Sequence, residues 1–178
     1  MPEATADQAV IDELVGNAHG NFARVKELLD QHPDLLNAKA TWNETPIEAA
    51  TQMGNRQIID FLIERGAPVD GFTGLVLGHA SDGIVDQRGI HDLPALYFAA
   101  IGRHVETAQQ LLSAGADVNA KAEAAAPIHG AVMGGSAEMV RLLLDHGADP
   151  SLKDYAGRTP HELAMAINRE DIASLFNG

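Results

Sequence analysis

Three runs of the 178-residue chain carry apolar residues at three- and four-residue spacing. They read RQIIDFLIE at 56–64, VETAQQLLS at 105–113 and AEMVRLLLD at 137–145. This spacing places the apolar side chains along one stripe of a helix, so each run predicts an amphipathic α-helix with one buried face. A glycine stands two residues after the end of each run, at Gly66, Gly115 and Gly147. Glycine is the residue that most readily takes the left-handed conformation that ends a helix.

A second, shorter helix is predicted before each of these runs. In TPIEAATQMG (45–54), Thr45 can cap the helix, Pro46 fits the first turn, and Glu48 completes a capping box with Thr45. Copies of this segment follow as PALYFAAIGR at 94–103, APIHGAVMGG at 126–135 and TPHELAMAIN at 159–168. An earlier helix pair is predicted at 9–20 and 21–32, where Pro33 ends the second helix.

The fixed order of short helix, turn, longer helix and GADVN-like loop resembles the ankyrin repeat. The segments that carry the resemblance are TPIEAA, PALYFAA, PIHGAV and TPHELA, together with GAPVD, GADVN and GADPS. In this family one repeat is about 33 residues long. The resemblance implies an all-α solenoid that binds other proteins through the concave face of its short inner helices and through its loop tips.

The spacing of the repeats predicts one incomplete copy. The first residues of the inner helices fall at 46, 95, 127 and 160, so the gaps are 49, 32 and 33 residues. We therefore predict a single ankyrin-repeat domain of about six repeats with the third truncated, at 7–40, 41–70, 71–92 (incomplete), 93–120, 121–152 and 153–178. An inner helix is expected within 70–80, and a loop at 81–92 replaces its outer helix. Either Ile84 and Val85 fill the space left by the missing outer helix, or a pocket or a kink in the solenoid forms there.

Composition and charge narrow the function. Hydrophobic residues make up 46% of the chain and aromatic residues 4%, which suits a core of short, closely packed helices. The absence of cysteine excludes disulfides, thiolate metal sites and cysteine nucleophiles. Because the absence of disulfides is compatible with a reducing compartment, we expect a cytoplasmic location. We predict no secretory signal in MPEATADQAV and no membrane span. The net charge of -13 argues against nucleic acid as a partner and favours a protein partner with a complementary basic or apolar surface.

Candidate partner contacts lie mainly at the predicted loop tips. Trp42, the sole tryptophan, is a plausible anchor because tryptophan is enriched in binding hot spots, although it could instead cover a neighbouring loop. The full set of predicted contacts is Trp42, Asn43, Tyr97, Lys121, Glu123 and Tyr155. The resemblance implies a structural role for His129, whose position in the family forms hydrogen bonds between neighbouring loops.

The truncated third repeat offers an alternative. His79, Asp82, Asp86 and His91 are oxygen and imidazole donors, so they are candidate ligands for a metal or a small molecule, with a catalytic role left open. A solvated loop is the favoured interpretation, because the spacing matches no known metal motif. We predict no cofactor, and without a recognised catalytic motif an enzyme is the less favoured reading. A structural role within a larger assembly is the remaining alternative.

Overall fold

The computed structural model describes residues 8–80 and 83–176, and its regular structure there is helical. Backbone contacts group the chain into two compact bodies, residues 1–70 and 71–178, called the N-terminal and C-terminal bodies below. The prediction of all-α helical repeats is confirmed, since the described part has eleven α-helices and no strand beyond one isolated bridge. The single domain and the repeat boundaries stay predictions.

The N-terminal body holds two helix pairs. They are α1 (Gln8–Ala18) with α2 (Phe22–Gln31), and α3 (Pro46–Gln52) with α4 (Arg56–Glu64). Helix α1 packs against both α2 and α3, and α3 packs against α4. The apolar stripes predicted from the sequence form the core, and the rings of Phe22 and Phe61 meet edge to face with centroids 5.2 Å apart.

The C-terminal body begins with a lone short helix and continues as three helix pairs. The helices are α5 (Gly71–Val76), α6 (Ala95–Ile101), α7 (Val105–Ser113), α8 (Pro127–Gly134), α9 (Ala137–Asp145), α10 (Pro160–Ala166) and α11 (Glu170–Ala173). The inner helices α5, α6, α8 and α10 pack in that order, each on the next. Helix α8 approaches α6 closely because Gly134 lacks a side chain, since a Cβ there would lie 2.6 Å from the carbonyl oxygen of Ile101.

The predicted helix ends are confirmed. The Thr45 hydroxyl accepts from the backbone N–H of Glu48, and the Glu48 carboxylate accepts from the backbone N–H of Thr45 at 2.8 Å, which forms the expected capping box. A second capping box joins Thr159 and Glu162. The glycines that follow the outer helices have positive φ, at Gly66, Gly115 and Gly147. Local residue chemistry therefore fixes where these helices begin and end.

The third repeat is truncated as predicted. Helix α5 is followed, in the described residues 83–94, by turns and a 3-10 turn at Ile90–Asp92 instead of an outer α-helix. Ile84 is 3% exposed and so fills part of the vacated space, beside a remaining pocket of about 320 Å³. Two side chains close the end of α5: His104 Nε2 lies 2.9 Å from the Val76 oxygen, and the Thr107 hydroxyl donates to the Gly78 oxygen at 3.2 Å.

Candidate partner-binding surface

Four short turns, called the loop tips, precede the inner helices α3, α6, α8 and α10. Each is closed by a backbone hydrogen bond, over 40–44, 89–93, 122–125 and 154–158. The closing N–H groups belong to Ala40, Gly89, Ala122 and Asp154, so the tips recur with the repeat spacing of 49, 33 and 32 residues. The tip at 122–125 is one residue shorter than the others, and Ala125 is buried.

The first loop tip holds Trp42 over a buried acid. The Trp42 side chain is 44% exposed, yet its Nε1 donates to Glu44 Oε2 at 2.7 Å, and Glu44 itself is fully buried. The other Glu44 oxygen accepts from Gln52 Nε2 at 2.7 Å. Asn43, also exposed, has a φ of 66° and accepts a hydrogen bond from Lys39 Nζ at 3.2 Å. The tip therefore presents part of the indole to solvent in a fixed orientation.

The last loop tip is built around Asp154. Its carboxylate accepts from the backbone N–H groups of Ala156 and Arg158 and from the Arg158 guanidinium, each at 2.9 Å. Burial acts to raise the pKa of Asp154, but these hydrogen bonds and the positive charge of Arg158 outweigh it, so the pKa lies below its ordinary value. This rigid turn presents Tyr155, whose side chain is 79% exposed.

The last three loop tips together line a groove of about 620 Å³, called the tip groove. Its walls are His91 and Asp92 from the tip at 89–93, Glu123 and Ala124 from the next, and Tyr155 from the last. The backbone N–H of Tyr155 donates to the Ala124 oxygen at 2.9 Å, which joins two of the tips directly. His91 and Asp92 both have positive φ, 54° and 59°, as the tight turn requires.

One predicted contact residue needs correction. Tyr97 is 3% exposed, and its ring covers Gly130, where an added Cβ would come within 2.9 Å of it. Its hydroxyl lies 3.8 Å from the Met133 sulfur, and burial raises the pKa of that hydroxyl. Tyr97 is therefore a core residue between α6 and α8, because its position in the inner helix faces the next repeat. The other five predicted contacts are exposed: Trp42, Asn43, Lys121, Glu123 and Tyr155.

His129 has the structural role that was predicted for it. The imidazole is fully buried, Nδ1 accepts from the backbone N–H of Ala126 at 3.2 Å, and Nε2 lies 3.3 Å from the Arg158 oxygen. These partners fit a neutral ring with its proton on Nε2. Burial lowers the pKa of His129, which favours the same neutral form. His129 thus ties helix α8 to the last loop tip.

The candidate metal ligands do not converge in the described part of the chain. Among residues 8–80 and 83–176, no three His, Asp or Glu side chains come together in a way that could hold a metal ion. His91 lies in the tip groove, whereas Asp86 lines a separate pocket of about 90 Å³ with Arg88 and Asp117. Asp82 lies outside the described residues. A small-molecule or metal site at the third repeat stays a prediction.

Sequence reasoning missed two features of this surface. It placed His91 in a ligand-like loop, although the Gly89–Leu93 hydrogen bond makes His91 and the adjacent Asp92 part of a loop tip. The distance of 33 residues from Gly89 to Ala122 is one full repeat, and it is the signal that could have identified this tip. The buried role of Glu44 had no comparable signal, because an acid in a turn is usually exposed.

Comparisons with known proteins agree with this geometry. A family profile described as ankyrin repeats (3 copies) matches residues 15–122, 71–154 and 96–177. A protein of Rickettsia felis, named as an ankyrin repeat protein, is 30% identical over 88 residues, which are 49% of this chain and 32% of that protein. The mouse protein named ankyrin repeat and SAM domain-containing protein 6 is 29% identical over 104 residues, which are 58% of this chain and 10% of its own length. The chain thus spans a third or less of these two relatives.

None of the described helices has the length and apolar character needed to cross a membrane.

Proposed function

The chain belongs to the ankyrin-repeat family, and we propose that it is a protein-interaction module that binds its partner through the loop tips. Ankyrin repeats generally mediate protein–protein interaction. That general role leaves open which residues bind and what they bind, because function in a repeat scaffold depends on its variable surface residues. The chemistry of the exposed tips is what supports the proposal for this chain.

The observation that carries the proposal is the exposure of Tyr155 on a rigid turn. A tyrosine residue that is 79% exposed leaves much of an apolar ring in water, although most aromatic rings are largely buried. The turn beneath it is held by three hydrogen bonds to Asp154. A partner that covers the ring would gain apolar burial while ordering little additional backbone, which favours affinity.

Trp42 offers a second anchor of the same kind, in the N-terminal body. Its indole N–H already has a partner in Glu44, so covering the exposed part of the ring would leave no donor unsatisfied. Tryptophan and tyrosine are the residues most enriched in binding hot spots. Asn43, Lys121 and Glu123 are the exposed polar residues that we assign to the rim of these contacts.

The charge of the chain indicates the kind of partner surface. With 25 acidic and 12 basic residues, the average field around the protein is negative. Electrostatic complementarity speeds association and excludes mismatched partners, so a basic or mixed basic and apolar surface is the best fit. The same field disfavours nucleic acid, whose phosphates would be repelled.

The experiment is a quantitative capture comparison. Immobilised wild-type protein is incubated with host lysate beside Trp42→Ala and Tyr155→Ala, and the retained proteins are measured by mass spectrometry. Val69→Ala and Ile167→Ala are matched controls, because both remove exposed apolar side chains outside the loop tips. Circular dichroism confirms that each variant is folded.

We expect at least one protein retained by wild type and both controls to be lost from one or both of the tip variants. If the two tip variants retain the same proteins as wild type in the same amounts, the loop tips are not the binding surface.

A further inference from the structure

Two carboxylates in the tip groove have no partner within the described residues. Neither the Asp92 nor the Glu123 carboxylate forms a hydrogen bond or an ion pair there, in contrast to Asp154 of the last loop tip, whose carboxylate is hydrogen-bonded within its own turn. Asp92 lies on one wall of the groove and Glu123 on the next tip along. Both are exposed, so both can pair with a charge that enters from solvent.

The groove is too open to suit a metal ion. His91, Asp92 and Glu123 all line it, yet among the residues that the structure describes no three such side chains approach closely enough to coordinate one ion. A space of about 620 Å³ suits a larger cation that reaches several walls at once. Lys121 is exposed but does not line the groove, so it leaves the groove wall acidic.

The exposed ring of Tyr155 favours a guanidinium group over an ammonium group as the bound cation. A guanidinium group is planar, stacks on aromatic faces and donates two parallel hydrogen bonds to a carboxylate, whereas an ammonium group acts as a compact point charge. The guanidinium carbon of Arg158 lies 6.0 Å from the Tyr155 ring centroid, at the outer limit of a cation–π contact. This ring therefore already has one guanidinium near it and remains largely exposed.

We propose that the tip groove binds an arginine side chain of a partner protein segment, with the guanidinium over the Tyr155 ring and paired with Glu123 or Asp92. This proposal rests on the proposed function, since it names the partner chemistry of the same surface. His91 lies beside the arginine on the groove wall. Ala124, which is half-buried, lines the groove with a small side chain, so an extended segment can approach the backbone there.

The test is a titration of the ¹⁵N-labelled 178-residue chain, followed by NMR. The probes are three blocked tripeptide amides, acetyl-Gly-Arg-Gly, acetyl-Gly-Lys-Gly and acetyl-Gly-Glu-Gly. We expect the arginine peptide to shift the amide signals of Glu123, Ala124 and Tyr155 with a dissociation constant on the order of millimolar. The lysine peptide should bind more weakly, and the glutamate peptide should leave these signals unchanged.

Matched variants assign the effect to the groove. Asp92→Asn/Glu123→Gln removes two charges from the groove and should weaken arginine-peptide binding by about three- to tenfold. Glu106→Gln/Glu138→Gln removes two charges from exposed helical positions outside the groove and should leave binding as in wild type. Tyr155→Leu should weaken binding, and Tyr155→Phe should retain it, because only the latter keeps the aromatic face.

Equal shifts with the arginine and glutamate peptides would overturn the proposal, as would unchanged arginine binding in Asp92→Asn/Glu123→Gln. The capture experiment separates this outcome from failure of the proposed function. If capture is lost in Tyr155→Ala but kept in Asp92→Asn/Glu123→Gln, the interaction role stands and the arginine preference falls. If no tip variant alters capture, the loop tips are not the partner-binding surface and the proposed function falls, while the peptide titration still reports on the groove.

Discussion

The indole Nε1 of Trp42 donates a 2.7 Å hydrogen bond to Glu44, which is buried. A buried carboxylate is costly unless its oxygens are hydrogen-bonded, and here the second oxygen accepts from Gln52. His19 completes the cluster, with Nε2 3.6 Å from the Glu44 carboxylate and 2.6 Å from the Gln52 amide nitrogen. The exposed anchor of the first loop tip is therefore held by a partly buried polar network centred on Glu44 in the N-terminal body.

The first prediction concerns Glu44. Glu44→Ala leaves the donors of Trp42 and Gln52 without this acceptor, so the free energy of unfolding should fall by about 1–3 kcal/mol in urea denaturation. The fluorescence anisotropy of the sole tryptophan should also fall, because the indole loses its tether. Glu44→Gln keeps an acceptor oxygen and should change the anisotropy less. Unaltered stability and anisotropy in Glu44→Ala would show that the network does not hold Trp42.

The second prediction concerns the truncated repeat. Ile84 is 3% exposed in the space where an outer helix is missing, so Ile84→Ala removes buried apolar contacts and should cost about 2–4 kcal/mol of unfolding free energy. The neighbouring Val85 is only half-buried, and Val85→Ala should cost clearly less. Urea denaturation of both variants measures the difference. A similar small loss in both would mean that Ile84 does not fill the gap.

The helices could be predicted from the sequence because their signals are local. Thr45 and Glu48 are three residues apart and satisfy each other's backbone groups whatever surrounds them. Gly66 takes a positive φ directly after its helix, a conformation that other residues adopt at a cost. The truncation at 71–92 was equally readable, because a count of residues between like motifs does not depend on tertiary packing.

The binding surface was harder to predict because burial depends on contacts between repeats. The sequence pattern placed Tyr97 on an inner helix but could not predict that its side chain is buried. The ring is buried because Gly130 of the next inner helix, which has no side chain, leaves room for it. His91 and Asp92 carry ligand-like chemistry, and their position follows from the turn closed between Gly89 and Leu93. Residue type alone therefore suggested a metal site where the backbone forms a loop tip.

The third prediction concerns Gly89. A Cβ at this position would lie 2.8 Å from the Phe98 ring and 3.0 Å from the Phe72 ring, so the backbone of the loop tip must run directly against two aromatic side chains. Gly89→Ala should therefore lower the free energy of unfolding by about 1–3 kcal/mol. Gly16 lies at an exposed position of α1, and apart from its chain neighbours and the backbone of its own helix nothing lies within 4 Å of an added Cβ. Gly16→Ala should instead raise stability by about 0.5–1 kcal/mol. Thermal melts of the two variants should move in opposite directions, and a shared direction would contradict this packing.

The fourth prediction concerns the pH dependence of stability. Burial lowers the pKa of His129 in the folded protein below its ordinary value of 6.5, so the unfolded chain takes up this proton at a higher pH than the folded one. The contribution of His129 is therefore complete above pH 6.5 and is lost as the pH falls from 6.5 towards the folded pKa, at up to about 1.4 kcal/mol per pH unit. His129→Gln can keep an acceptor for Ala126 and a donor for the Arg158 oxygen without titrating. Urea denaturation at pH 7.5 and 5.5 should show a larger loss of stability in wild type than in His129→Gln. Equal losses would mean that another group, and not this buried imidazole, sets the pH response.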